Sequence, residues 1–305
     1  FRMSPFRRMC PFRESRVSGG AGNLSLDRRT KPLHPLEFSN NAGHVKTTRR
    51  TKRHWFLRWT SLLILLVGLL LMGPGFALLF GGIDFDTHWS EASLDSAGIA
   101  PDPLDTPEAV VQVYAARAYN WRGAFGSHSW IAVKPKGSRY YTVYQLVGWR
   151  LRYSPSAISI REGGPADFLW FNAKPRLLVE HRGSKAQAMI PLIEQAVHSY
   201  PYPHQYRVWP GPNSNTFVAW VARQVPALRL DLPATAIGKD YLANGDWLAA
   251  MPSGTGWQVS LYGLLGIGLA KEEGIEFNLL GLSFGFDVND LALRVPGWGA
   301  IPAAK

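Results

Sequence analysis

Two short words in this sequence carry residue types that can do chemistry together. Ser127 to Val133 (SHSWIAV) holds His128 inside an alternating run, with His128, Trp130 and Ala132 on one face and Ser129, Ile131 and Val133 on the other. Asn213 to Phe217 (NSNTF) places Ser214 directly after an asparagine that opens an apolar-periodic segment. A helix start suits a nucleophile, because its free N–H groups and positive dipole end stabilise developing negative charge, and the hydroxyl then needs an imidazole to take its proton. The pair predicts His128 as general base and Ser214 as nucleophile, acting on an amide or ester. Spacing alone does not make them meet. A strand histidine is more often an ordinary half-buried side chain, and a serine beside an N-cap is more often a second cap than a nucleophile.

Other candidates point to less. His198 and His204 flank Pro201 and Pro203 without a third ligand nearby, and read as turn residues; His181, beside Arg182, reads as surface. Gly263, Gly266 and Gly268 do not stand between a strand and a helix, and there is no Walker lysine. The one cysteine, Cys10, lies in the N-terminal segment, so the folded region has no disulfide, thiolate zinc site or cysteine nucleophile. No cofactor and no metal are expected.

The elements that must position His128 and Ser214 can be read locally. Ser127 to Val133 is a strand, followed by the turn Lys134-Pro135-Lys136-Gly137 and a hairpin partner over Arg139 to Val147. Asn213 caps a helix whose stripe is Phe217, Trp220, Val221 and Val225, and Pro226 ends it. Thr106-Pro107-Glu108 reads as a helix start, with Val110, Val111, Tyr114 and Ala118 at helical spacing. A second helix is expected over Met189 to His198, entered through Pro191 in its first turn. Ala157 to Ile160, Phe168 to Phe171 and Tyr206 to Trp209 read as short strands. From Trp257 onward the chain is Gly-rich and apolar, in pieces too short to span a membrane as helices, and fits either sheet edges or a membrane-proximal surface. The fold class expected is α+β, an antiparallel sheet with packed helices behind one transmembrane helix.

The words AARAYNWRGAFGSHSWIAVKP (from Ala115), YQLVGWRLR (from Tyr144) and RVWPGPNSNTFVAWV (from Arg207) resemble the bacterial domain-of-unknown-function family 3750, over about residues 105–300. That family brings no assigned activity. More distantly, a strand histidine followed by a helix-opening N-x-N-x-F word is similar to the circularly permuted papain-like group, which includes NlpC-type and lecithin-retinol-acyltransferase-like enzymes. That resemblance implies a permuted papain-like fold, with His128 at the general base, Ser214 at the nucleophile and Asn213 before it at the cap. It also implies a third, orienting group on the next strand, where Tyr144 and Gln145 are available and no acid is. Serine stands where that group has cysteine, and a hydroxyl is far harder to deprotonate than a thiol. The substitution fits a serine hydrolase or acyltransferase; it fits equally a non-catalytic domain that keeps its groove for a peptide, glycan or lipid, or scaffolds envelope proteins.

Charge and hydropathy give the address. The 305 residues carry a formal net charge of +11, but residues 1–58 hold 14 Lys and Arg against Glu14, Asp27 and Glu37, so the remainder is neutral. A nucleic-acid-binding fold carries its basic stripe on the folded part, and that class is excluded here. Trp59 to Phe80 is free of charge and, as a helix, extends roughly 33 Å, enough for a hydrocarbon core of about 30 Å. Five Lys and Arg precede it (Arg49, Arg50, Lys52, Arg53, Arg58), and Asp84 and Asp86 follow. The positive-inside rule then puts the N-terminus in the cytoplasm and the rest in the periplasm, as a single-pass bacterial inner-membrane protein. No small-x-small cleavage site follows the run, which favours a retained anchor over a signal peptide. The organisation expected is a disordered basic arm (1–54, with Met3 or Met9 nearer the true start), a transmembrane helix (55–81), a linker (82–105) and an exported domain (106–305). Its expected partners are membrane lipid and a peptidoglycan, lipid or peptide ligand, with no nucleic acid.

Overall fold

The uncharged run lies within one long helix, α1 (Thr48–Phe80), roughly 50 Å from end to end. The computed structural model describes residues 48–302, and the expected basic arm, with Met3, Met9 and Cys10, lies outside the described residues except for its last turns, which belong to α1. From His54 to Phe80 this helix is long and apolar enough to cross a membrane. Most of its surface is bare: Ile64 is 71% and Leu79 76% exposed. The exception is one stripe, Leu70, Gly73, Pro74 and Ala77, buried at i, i+3, i+4 and i+7.

Beyond it the chain is α+β. The first sheet comprises β1 (Val110–Arg117), β2 (Ser127–Lys134), β3 (Thr142–Leu146), β4 (Ile158–Glu162) and β5 (Arg176–Arg182), ordered β4-β3-β2-β1-β5 with every pair antiparallel. The helix expected from Thr106-Pro107-Glu108 is β1 instead. Val110, Val111 and Val113 are β-branched, and the strand lies between β2 and β5, buried on both faces, so its unbroken apolar run matches helical spacing without needing it. Two further helices follow, α2 (Gly183–His198) and α3 (Ser214–Gln224). α2 begins before Met189, so Pro191 stands in mid-helix rather than in the first turn, held by the buried Met189, Ile190 and Ile193 beside it. Phe168 to Phe171 is irregular, because Phe171 and Asn172 take left-handed backbone conformations that turn the chain back on itself. Tyr206 to Trp209 likewise pairs with no strand; Arg207 N–H bonds only to Pro212 O.

Each face of this sheet is covered. On one, Val111, Val113, Ile131, Val133 and Leu146 join α2 and α3 in an apolar core. On the other, Trp130, Ala132, Tyr141 and Val143 are roofed by Ala166, Phe168 and Trp170. Asp167 fixes that roof, accepting from Ser96 Oγ (2.8 Å) and from the N–H groups of Ile99 and Ala100 (2.5 and 3.0 Å).

The second sheet is a plain antiparallel meander, β6 (Leu248–Ala250), β7 (Gly256–Leu261), β8 (Leu265–Ala270), β9 (Gly274–Leu279), β10 (Leu282–Asp287), β11 (Ala292–Val295) and β12 (Gly299–Ile301). Its alternation is inverted. Gln258, Ser260, Glu276, Asn278, Ser283 and Arg294 are buried, while the register aligns Trp257, Leu269, Ile275, Phe286, Leu293 and Ile301 in one outward row. A second outward row runs Val259, Ile267, Phe277, Phe284.

Candidate functional site

The NSNTF word builds the start of α3. Asn213 Oδ1 accepts from the N–H groups of Asn215 (2.9 Å) and Thr216 (3.1 Å), and Thr216 Oγ1 accepts from Asn213 N–H (3.1 Å), a complete capping box. The Asn213 amide donates to Val208 O and Ile237 O, both at 3.0 Å. Gly238, at φ +95°, passes so close that a Cβ there would lie 2.4 Å from that amide nitrogen. Asn215 ties the helix to the sheet: its amide donates to Ser127 O (2.9 Å) and Ile237 O (2.8 Å), and its Oδ1 accepts from Ser129 Oγ (2.8 Å). Thr216 Oγ1 donates to Gly238 O (2.7 Å). Ser214 is buried, and its side chain engages the Tyr206 hydroxyl. Burial pushes the Tyr206 phenol up, opposed by that bond.

His128 lies elsewhere. Its ring stacks on Trp170, centroids 3.5 Å apart and 8° from parallel, under the roof of the opposite sheet face. Its Nε2 is 2.9 Å from Gln145 Oε1, which can only accept, so Nε2 carries the proton in that bond and is not a free base. Burial lowers the imidazole to about 4, against a smaller upward effect of Gln145.

The structure therefore brings together some of the expected residues and separates the essential two. Gln145 meets His128, whereas Tyr144 points to the α2 side, its hydroxyl 3.3 Å from Glu194 Oε1. Asn213 meets Ser214 through the cap. His128 and Ser214 share no hydrogen bond: the strand's alternation puts His128 on the Trp170 face, while α3 packs on the Ser129, Ile131 and Val133 face. The pairing of His128 with Ser214 is thus not formed. On β2 the positions that face α3 are Ser127, Ser129 and Ile131, none of them a base. The helix-start amides that could hold an oxyanion, those of Asn215 and Thr216, are occupied by Asn213. His181 Nε2 (2.9 Å from Leu228 O) and His204 Nδ1 (2.5 Å from Pro155 O) each bond to a backbone carbonyl. Among the described residues no group of three or more His, Cys, Asp or Glu could hold a metal ion.

Sequence reasoning passed over an open cleft on the other flank of α3. Its volume is about 250 Å³, and Tyr200, Tyr202, Trp220 and Tyr241 line it with Gln224 and Asp246. The rings meet edge to face, Tyr200 against Tyr202 at 84° and Tyr202 against Tyr241 at 69°. The available signal was the clustering of Tyr200, Tyr202 and Pro201 just upstream of α3, with Trp220 one turn and a half into it. Residues 108–241 match the family model described as "Protein of unknown function (DUF3750)". No curated protein and no solved structure matches the chain.

Proposed function

We propose that this chain, whose residues 108–241 belong to the DUF3750 family, is a membrane-anchored, non-catalytic binding domain of the permuted papain-like kind. The observation that carries the proposal is the placement of His128 and Ser214 on opposite faces of one sheet. His128 sits on the β2 face turned away from α3 and is already held there by Gln145, while Ser214 is buried at the start of α3 on the other face. The papain-like reading draws on the shape of the α3 start: a polar word at a helix N-terminus, packed against the central strands of an antiparallel sheet. What the fold keeps is the cleft beside that helix. Aromatic rings and a few polar groups in a recess suit a short stretch of peptide or glycan, bound by stacking and hydrogen bonds. With α1 as a retained anchor, a basic flank on the cytoplasmic side and the domain exported, an envelope polymer such as peptidoglycan is the ligand in reach.

A fluorophosphonate probe is expected to leave the folded, full-length protein unlabelled; labelling that disappears in Ser214→Ala overturns the non-catalytic reading. For the cleft, titration with a soluble disaccharide-peptide fragment is expected to show saturable binding that Tyr241→Ala weakens by about tenfold, the loss of roughly 1.4 kcal/mol of contact. Binding unaffected by that change moves the ligand elsewhere. An alkaline phosphatase fused after residue 100 is expected to be active, and activity confined to a cytoplasmic reporter at that position reverses the orientation.

A further inference from the structure

The seven-stranded sheet poses a physical problem that its own domain does not solve. Its polar side chains are buried and its apolar ones face out: Trp257 is 65% exposed, Leu269 64% and Leu293 56%. Strands β7 to β10, of six residues each, with the shorter β11 and β12 make an outward face of about 500 Å² in projection at about 3.3 Å per residue and 4.8 Å between strands. The largest apolar patch on a typical water-soluble monomer is about 300–600 Å² in all. The two outward rows hold no charged side chain. At the upper end of that range a contiguous apolar face is commonly a contact surface.

We infer that the partner is the lipid bilayer itself, and that the outward face of this sheet lies in the outer leaflet beside α1. The observation that selects lipid over another protein is continuity with the helix. The turn between β11 and β12 docks on the buried stripe of α1. Gly73 lets the backbone come in, since a Cβ there would lie 2.0 Å from Pro296 O and 2.9 Å from Val295 Cγ1. Phe76 meets Trp298 edge to face, centroids 6.4 Å apart. Val295 alternates with the buried Arg294, so it belongs to the outward face, and that face runs directly onto the helix.

Depth follows from the same contact. Gly73 is about 10 Å below the end of α1 at Phe80, at 1.5 Å per residue. With the hydrocarbon core spanning about 20 residues back from Phe80, the β11–β12 turn lies some 10 Å inside its outer boundary. Interfacial protein segments bury about 5–10 Å, so the sheet is carried to the right depth by its attachment. The ends of the strands agree. Turns at the end that touches α1 bring Tyr262, Leu280 and Trp298 and no charge, whereas turns at the far end bring Lys271, Glu272, Asn289 and Asp290 together with Val288 and Leu291. The sheet is therefore tilted with its apolar end down and its charged end in water.

The inference rests on α1 spanning the membrane, and the test separates the two. In full-length protein with Cys10→Ser, single cysteines at Leu66, Phe277 and Lys271 are labelled with an environment-sensitive fluorophore and reconstituted in liposomes containing a spin-labelled quencher lipid. Quenching at Leu66→Cys and Phe277→Cys, each severalfold above Lys271→Cys, is the expected result. Quenching at Leu66→Cys with Phe277→Cys no different from Lys271→Cys overturns the sheet's membrane contact and leaves the anchor standing. Absence of quenching at both positions overturns both. Phe277→Cys that cross-links to itself and is not quenched overturns the inference in favour of a second copy of the chain.

Discussion

The two sheets of this protein solve the burial problem in opposite ways. The five-stranded sheet is apolar within: β1 and β2 are covered on both faces, and polar side chains that fall inside, such as His128, Gln145, Ser129 and Asn215, are tied into short uncharged hydrogen-bond pairings. The seven-stranded sheet is polar within. Lys239 meets Glu276 (2.5 Å) and Asp240 (3.4 Å); Arg294 meets Glu276 (3.2 Å), Asp231 (2.5 Å) and Asp287 (3.0 Å). Burial alone would lower Lys239, but the neighbouring Asp240 and Glu276 outweigh it and hold the ammonium well above its usual range. The difference teaches that the strand alternation rule fixes which residues share a face, and that the surroundings decide which face goes in. In the five-stranded sheet the apolar side turns inward; in the seven-stranded sheet, attached at one end to a helix long and apolar enough to cross a membrane, it turns out.

The contrast is broken most forcefully at Arg294. In a network of this kind a buried charge is stabilised chiefly by its partners, so removing one leaves the others unpaired, at a cost of about 3–5 kcal/mol. Arg294→Ala takes the cationic partner from Asp287 and Asp231 and leaves Glu276 with Lys239 alone, and is expected to destabilise by that amount, seen as a lower midpoint in urea unfolding of the detergent-solubilised protein. Ile131→Ala in the five-stranded sheet is expected to cost about 2–5 kcal/mol through its cavity instead, with no dependence on charge. Comparable losses in the two sheets then have unlike causes. An Arg294→Ala protein with an unchanged midpoint would remove the electrostatic account of the second sheet.

A second test sharpens the first sheet's account through pH. His128 is held near 4 in the folded chain against an ordinary value of 6.5, because burial disfavours the cation. The folded state therefore prefers the neutral ring: stability from this source is complete above 6.5, falls as pH drops from 6.5 towards 4, and is gone below 4. At about 1.36 kcal/mol per unit the full change is roughly 3 kcal/mol. His128→Phe keeps a ring on Trp170 and removes the proton site, so its stability is expected to stay flatter across that window, at a constant penalty for the Gln145 amide left without its partner. Equal pH slopes for both proteins would place the acid sensitivity elsewhere. A buried neutral imidazole that titrates this way is a packing element, in keeping with the non-catalytic reading.

What the sequence makes legible is what local chemistry decides. Asn213 announces the start of α3 and Pro226 its end, since a cap and a missing N–H act within a turn. The alternation in SHSWIAV is enough to put His128 and Ser129 on opposite faces of β2. It follows that a helix on the Ser129 face does not reach His128, but nothing local tells which face the helix takes; that depends on Asn215 finding Ser129 and Ser127 across 80-odd residues. The identity of β1 is hidden for a like reason, because Val110 to Tyr114 satisfy both spacings until β2 and β5 pair with them. In the meander, WQVSL and IEFNL show strict alternation, and only the choice of inside face is unreadable.

The smallest expected effect is also the most discriminating between the sheets, because it compares adjacent residues of β8. Gly268 points inward, and a Cβ there would lie 2.6 Å from Met251 Sδ, so Gly268→Val must displace a buried side chain; overpacking of this kind costs about 1–3 kcal/mol. Ile267 points outward. At 49% exposed it lies outside the protein core, so Ile267→Ser leaves no internal cavity and is expected to change stability by no more than about 0.5 kcal/mol. In an ordinary half-buried strand the order is the reverse, since the isoleucine is the core residue and the glycine the tolerant one. Urea midpoints for the two variants therefore read the orientation of the sheet directly: a large loss at Ile267 with a small one at Gly268 turns the sheet over, and with it the apolar face proposed to meet the membrane.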